Sequence, residues 1–135
     1  MFPLESKVLV VDDMSSIRGL VRNHLRTMGF KDLSEAEDGE EALKLILKAI
    51  GDGVPFDLVI SDWNMPKMKG LELLKQVRAN PATQQLPFLL LTSESERDQV
   101  TEAVLSGVSQ YIVKPFSGKI FEDKLKAAYA KHFKS

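Results

Sequence analysis

Residues 57–66 read DLVISDWNMP, and the reading of this stretch decides the fold. Leu58-Val59-Ile60 is an unbroken apolar run, the pattern of a strand covered on both faces rather than one with a wet side. It ends on a carboxylate, Asp62, followed at once by the only tryptophan, Trp63, and a Met65-Pro66 turn. Residues 7–11 (KVLVV) have the same form and run into Asp12-Asp13, while residues 87–93 (PFLLLTS) run out at Thr92-Ser93. Between such runs the apolar spacing becomes helical. Ile17, Leu20, Val21, Leu25 and Met28 share a face and Gly29 follows as a stop. Strands alternating with amphipathic helices are βα units, and βα units build a parallel sheet.

The remaining segments extend the alternation. Residues 33–36 (LSEA) form a weak second strand, and Asp38 with Glu41 has the spacing of a capping box that opens a helix to about Ile50. Residues 56–61 form the third strand and 70–79 (GLELLKQVRA) a helix ended by Asn80-Pro81. After the fourth strand come a helix over 95–107, a fifth strand at 110–114 (QYIVK) and a last helix from Ser117 to Phe133. The expectation is an α/β fold, with five strands and five helices in a single domain spanning 1–135.

Composition removes several function classes. A net charge of −1 provides no basic field for nucleic acid or for an anionic membrane. There are no cysteines, which excludes disulfides, thiolate metal sites and cysteine nucleophiles. The N-terminal apolar run is too short for a signal peptide, and no stretch approaches the roughly 20 apolar residues that span a bilayer. A soluble, cytoplasmic protein is expected, with no long apolar seam left over for a partner copy and hence a monomer.

The strand ends carry the chemistry. In a parallel sheet all carboxyl ends lie on one edge, and ligands bind in the crevice beyond it. Asp12, Asp13, Asp62, Thr92 and Lys114 are distant in sequence yet should converge there. Taken singly each has an ordinary explanation: a cap or turn for the acidic pair, a cap for Thr92, a loop for Lys114-Pro115. Met65 and Met68 read as packing, and His24 and His132 as surface or packing residues. Taken together, crowded carboxylates with a lysine and a hydroxyl suit a hard divalent cation, Mg²⁺, and phosphoryl chemistry with Asp62 as nucleophile.

At these residues the sequence resembles the receiver domains of two-component response regulators, most closely the CheY-type chemotaxis regulators. The similarity rests on VLVVDD (8–13), EAEDGEEAL (35–43), ISDWNMPKMKGLELL (60–74), LPFLLLTSE (86–94) and YIVKPF (111–116). The resemblance implies a doubly wound, flavodoxin-like five-stranded parallel sheet in the order 2-1-3-4-5. It implies Asp62 as the phosphoacceptor, Asp13 as a direct and Asp12 as a water-mediated Mg²⁺ ligand, and Asn64 as a ligand through its backbone carbonyl. Lys114 would pair with the phosphoryl group, with a cis bond before Pro115, and Thr92 and Tyr111 would form the switch pair. Arg97, Val100, Val104, Tyr111 and Lys124 are the candidate partner face. Asn64 and Glu94 flank the approach of a hydrolytic water, so self-dephosphorylation is expected within minutes.

The implied role is a stand-alone signalling switch rather than a metabolic enzyme. A CheA-like histidine kinase would phosphorylate it, and the phosphorylated face would bind an effector, in the chemotaxis type a flagellar switch protein, with a phosphatase as a further partner. A phosphorelay shuttle to a histidine phosphotransfer domain is one rival, and a small Mg²⁺-dependent aspartyl-phosphate phosphatase another. Three positions depart from the family pattern: Lys69 where an acid is common, Ser93 where alanine or glycine is usual, and a longer segment LKAIGDGVPF (47–56).

Overall fold

The computed structural model describes residues 1–93 and 100–133. The strands are β1 (Lys7–Val11), β2 (Asp32–Ala36), β3 (Leu58–Asp62), β4 (Phe88–Thr92) and β5 (Gln110–Val113). The helices are α1 (Ser15–Met28), α2 (Gly39–Gly51), α3 (Gly70–Ala79), α4 (Val100–Leu105) and α5 (Gly118–His132). All strand pairs are parallel, in the order β2-β1-β3-β4-β5. The parallel sheet expected from the apolar runs forms, in the doubly wound order that the resemblance implies.

The sheet divides two apolar layers by strict alternation, because successive strand side chains point to opposite faces. Val8, Val10, Leu58, Ile60, Leu89, Leu91 and Ile112 pack with Val21 and Leu25 of α1 and Phe121 and Leu125 of α5. Leu9, Val11, Val59 and Leu90 pack with Ala42 and Ile46 of α2, Leu73 and Val77 of α3, and Ala103 of α4. β3 and β4 are buried at every residue, whereas β2 at the sheet edge is mostly half-exposed, which explains its faint apolar signal.

Helix ends follow the local chemistry. Asp38 accepts from the Glu41 N–H at 2.8 Å and opens α2, and Ser117 does the same for Ile120 at 3.2 Å in α5. Gly29 stops α1 at φ 106°, a left-handed conformation that glycine adopts without a Cβ penalty. β3 is displaced from its expected span by one or two residues. Phe56 turns into the core as part of the connection, and Asp57 ties to the edge of β1 through its side chain, which accepts from the Lys7 N–H at 2.8 Å. The regular ladder therefore starts at Leu58 and includes Asp62 as its last residue, bonded into the sheet rather than hanging beyond it.

Candidate functional site

The carboxyl edge gathers the distant acids. Asp12 follows β1, and its N–H continues the ladder to the Ala36 carbonyl at 3.1 Å. Asp62 ends β3, and Trp63 continues that ladder to the Leu91 carbonyl at 3.0 Å. Carboxylate oxygens of Asp12, Asp13 and Asp62 all lie within 4.8 Å of one another. Asp12 and Asp62 are buried and Asp13 is exposed, so the cluster opens to water on one side.

The charges of this cluster are not balanced among the described residues. Asp12 Oδ1 accepts from the Met14 N–H at 2.9 Å, but its buried Oδ2 has no hydrogen-bond partner among the described residues. Burial is the main cause that pushes the Asp12 carboxyl up, to about 6, with Asp62 and Asp13 adding to it and the Met14 N–H and Lys114 opposing it. Lys114 Nζ reaches Asp62 Oδ1 at 2.5 Å. It is placed by the start of the β5–α5 connection, where its N–H donates to the Thr92 carbonyl at 2.7 Å and the bond to Pro115 is cis. Thr92 is buried at the end of β4, and its hydroxyl also has no partner among the described residues. A buried hydroxyl and a buried carboxylate oxygen left unmatched beside one lysine are costly unless something else completes them. The donor set, three carboxylates open to water, fits a hard, oxygen-seeking divalent cation.

Asn64 lies two residues past Asp62 in the loop between β3 and α3. That loop returns tightly. The Gly70 N–H donates to the Trp63 carbonyl at 3.0 Å, and a Cβ at residue 70 would collide with the Asp62 carbonyl oxygen. Glycine is therefore required where α3 begins. Lys69, one of the departures from the family pattern, is the exposed N-cap residue of α3 and makes no side-chain cap bond.

The second group of expected residues sits apart from this pocket. Tyr111 is half-buried on β5, and Lys124 of α5 places its Nζ 5.0 Å from the ring centre. Val104 is 54% exposed on α4 and Val100 half-buried at the first described residue of that helix. Two apolar residues not singled out from the sequence, Leu105 at 83% exposure and Val113 at 40%, share this region. Glu94 and Arg97 lie outside the described residues.

Sequence reasoning passes over Arg18. Its Nη1 donates to the Asp12 carbonyl at 2.7 Å and its Nε to Glu35 at 2.9 Å, and Glu35 also holds Arg22 at 3.0 Å. This bridge fastens α1 and β2 to the turn that bears the acidic pair. An arginine one turn into the helix after that pair is the available signal. His24 stacks on Phe121 as a packing residue, but His132 is more than that: its Nε2 lies 2.6 Å from the buried Ser109 hydroxyl.

Comparison with known proteins matches residues 8–126 to the response regulator receiver domain. The chain is 47% identical over 119 residues to the chemotaxis protein CheY-3 of Vibrio cholerae, covering 88% of each. It is 41% identical over 123 residues to the chemotaxis protein CheY of Pseudomonas aeruginosa, covering 91% of this chain and 95% of that one. Among solved structures, the chemotaxis response regulator CheY4 of Vibrio cholerae superposes with a TM-score of 0.78 at 36% identity, over 92% of this chain and 98% of the other.

Proposed function

The chain belongs to the response regulator receiver family, and from that premise we propose that it is a signalling switch phosphorylated on Asp62 by a histidine kinase. The observation that carries this is the acidic cluster with its two unmatched buried polar atoms, Asp12 Oδ2 and Thr92 Oγ1, on either side of Asp62. Asp12, Asp13, Asp62 and the Asn64 carbonyl would hold Mg²⁺. When bound, the cation screens the carboxylates and lowers the repulsion that an incoming phosphoryl group meets.

In the forward step an Asp62 oxygen attacks phosphorus in line, forming the O–P bond as the P–N bond to the kinase imidazole breaks and the ring nitrogen keeps the electron pair. Lys114, already on Asp62 Oδ1, moves to the phosphoryl oxygens, and the Thr92 hydroxyl donates to one of them, which completes its bonding. Water then attacks phosphorus, the acyl phosphate opens, and inorganic phosphate leaves with Asp62 restored.

Phosphorylation turns the singly charged Asp62 carboxylate into an acyl phosphate that carries about two negative charges, now projecting further into the pocket. Movement of Thr92 toward it frees space behind β4 for the Tyr111 ring, and the α4–β5–α5 face changes its affinity for a partner. Exposed Val104, Leu105 and Val113, with half-buried Lys124, supply the apolar and basic surface for that partner. The relatives named as chemotaxis proteins favour a flagellar switch protein as the target and a CheA-like kinase as donor. The test is a pull-down with and without beryllofluoride, comparing flagellar switch proteins with histidine phosphotransfer domains. Beryllofluoride-dependent capture of the switch protein supports the chemotaxis role. Capture of the phosphotransfer domain alone would make the chain a phosphorelay shuttle.

A further inference from the structure

The loop between β3 and α3 is held from a direction that no ligand role requires. The Met68 N–H donates to the Pro66 carbonyl at 2.7 Å, closing a three-residue turn centred on Lys67, whose φ is 66°. Lys67 is the one non-glycine residue at positive φ among the described residues. Crowding between Cβ and the following carbonyl disfavours that conformation, so it persists only where neighbours impose it.

The neighbour is the N-terminus of α2. The Gly39 N–H donates to the Met68 carbonyl at 3.2 Å. Asp38 caps α2 with one carboxylate oxygen and faces Lys67 Nζ with the other, at 3.8 Å. A Cβ on Gly39 would stand 2.5 Å from the Met68 carbonyl oxygen and 2.7 Å from its Cβ. The first of these is backbone and cannot swing aside. At the far end Gly70 packs against the Asp62 carbonyl with the same lack of room. The loop is thus held at both ends, by α2 and by the end of β3, and a displacement at Met68 is carried along the short segment that includes Asn64.

We propose that Gly39, with Asp38 beside it, is a positioning residue for the cation site: the start of α2 sets where the loop presents the Asn64 backbone. This rests on the reading of Asp12, Asp13, Asp62 and Asn64 as a Mg²⁺ site. Mg²⁺ demands near-ideal octahedral geometry, so a sub-ångström shift of one ligand weakens it. Groups that orient ligands typically change metal affinity by roughly 10- to 100-fold when altered.

Three variants separate the possibilities, each measured by Mg²⁺ titration calorimetry and by urea unfolding of the metal-free protein. Gly39→Ala weakens Mg²⁺ by about tenfold or more. Gly51→Ala, in the same helix, where a Cβ meets nothing within 4 Å, binds as the unaltered protein does. Lys67→Ala decides between positioning and simple charge. Removal of a cation near the site tightens Mg²⁺ if Coulomb attraction alone matters, whereas loss of the Asp38 tether weakens it if the loop is being held. A folded Gly39→Ala with unaltered affinity overturns the proposal, as does tighter binding by Lys67→Ala. If Gly39→Ala does not fold, Lys67→Ala alone decides between the two. Absence of Mg²⁺ binding by the unaltered protein would instead overturn the metal-site reading beneath it.

Discussion

The two edges of the sheet are built on opposite rules. At the amino edge most polar groups are consumed by structure, the buried Arg78 Nη2 being left without a partner among the described residues. Asp57 accepts from the Lys7 N–H, Lys7 Nζ donates to the Val54 carbonyl, and Thr83 Oγ1 donates to the Val77 carbonyl. Ser109 accepts from the Phe88 N–H at 2.9 Å and bonds His132, while Arg78 donates to the carbonyls of Leu86 and Gly107. At the carboxyl edge three acids crowd together and a buried carboxylate oxygen and hydroxyl have no partner among the described residues. One edge is stable at the expense of reactivity, and the other holds its reactivity at some expense of stability. The same strands do both, because a parallel sheet collects all its carboxyl ends on one side.

The sharpest way to break this contrast is to remove one residue from each edge. Asp62→Ala should lower labelling by acetyl phosphate by at least about a hundredfold, since the proposed nucleophile is gone; labelling at the unaltered rate would end the site assignment. Ser109→Ala should leave labelling intact but cost roughly 1–3 kcal/mol of unfolding free energy, because the buried Phe88 N–H loses its acceptor. Acetyl phosphate labelling and urea denaturation of the two variants side by side check both halves.

A pH experiment sharpens the comparison next. The Asp12 carboxyl titrates at about 6 in the fold against an ordinary value of 3.8. Because the folded value is the higher, its contribution favours the fold below the unfolded value and is lost as pH rises through about 6. A bound cation favours the carboxylate and reverses this, so the stabilisation produced by Mg²⁺ should be small near about pH 5 and grow above about pH 6. His132, held below its ordinary value by burial, then Arg78 and Lys131, acts in the opposite sense: its contribution is present above 6.5 and lost as pH falls. The difference between urea midpoints with and without Mg²⁺ cancels it, since it sits at the other edge. A Mg²⁺ increment independent of pH would contradict the assignment to Asp12.

Smaller effects come from Thr92 and Trp63. Thr92→Val removes a buried hydroxyl that has no partner among the described residues while keeping its shape, so the metal-free protein should be no less stable, by up to about 1 kcal/mol in its favour. The same variant should lose beryllofluoride-dependent partner binding, which an isosteric packing change alone would not affect. The least effect is expected from Trp63. It adjoins Asp62 but is buried in the layer with Leu90 and Met65, so Mg²⁺ should alter its emission modestly, and a silent signal would count against the site.

Much of the fold is legible in the sequence because strand and helix periods leave different marks. β1, β3 and β4 are buried on both faces and read as continuous apolar runs, and Gly70 and Asn80-Pro81 bound α3 where the structure bounds it. β2 is faint because edge strands need less apolar surface, and the apolar run brings β3 forward because Phe56 is apolar for the sake of the core rather than the ladder. The site acids are legible for a related reason, since each stands where an apolar run stops. Gly39 and Ser109 are not, because each acts on backbone atoms of a segment remote in sequence, and Arg18 is not because its pairing with Glu35 spans 17 residues.

By itself the sequence determined the α/β class, the parallel sheet and the identity of the acids on its carboxyl edge, since burial pattern and residue chemistry are local properties. Only the tertiary structure decided that Asp12 would titrate near 6, that Lys114 would rest on Asp62, and that α2 would press on the loop after β3. Those depend on distances between segments, and Coulomb energy, desolvation and steric contact are functions of distance rather than of order along the chain.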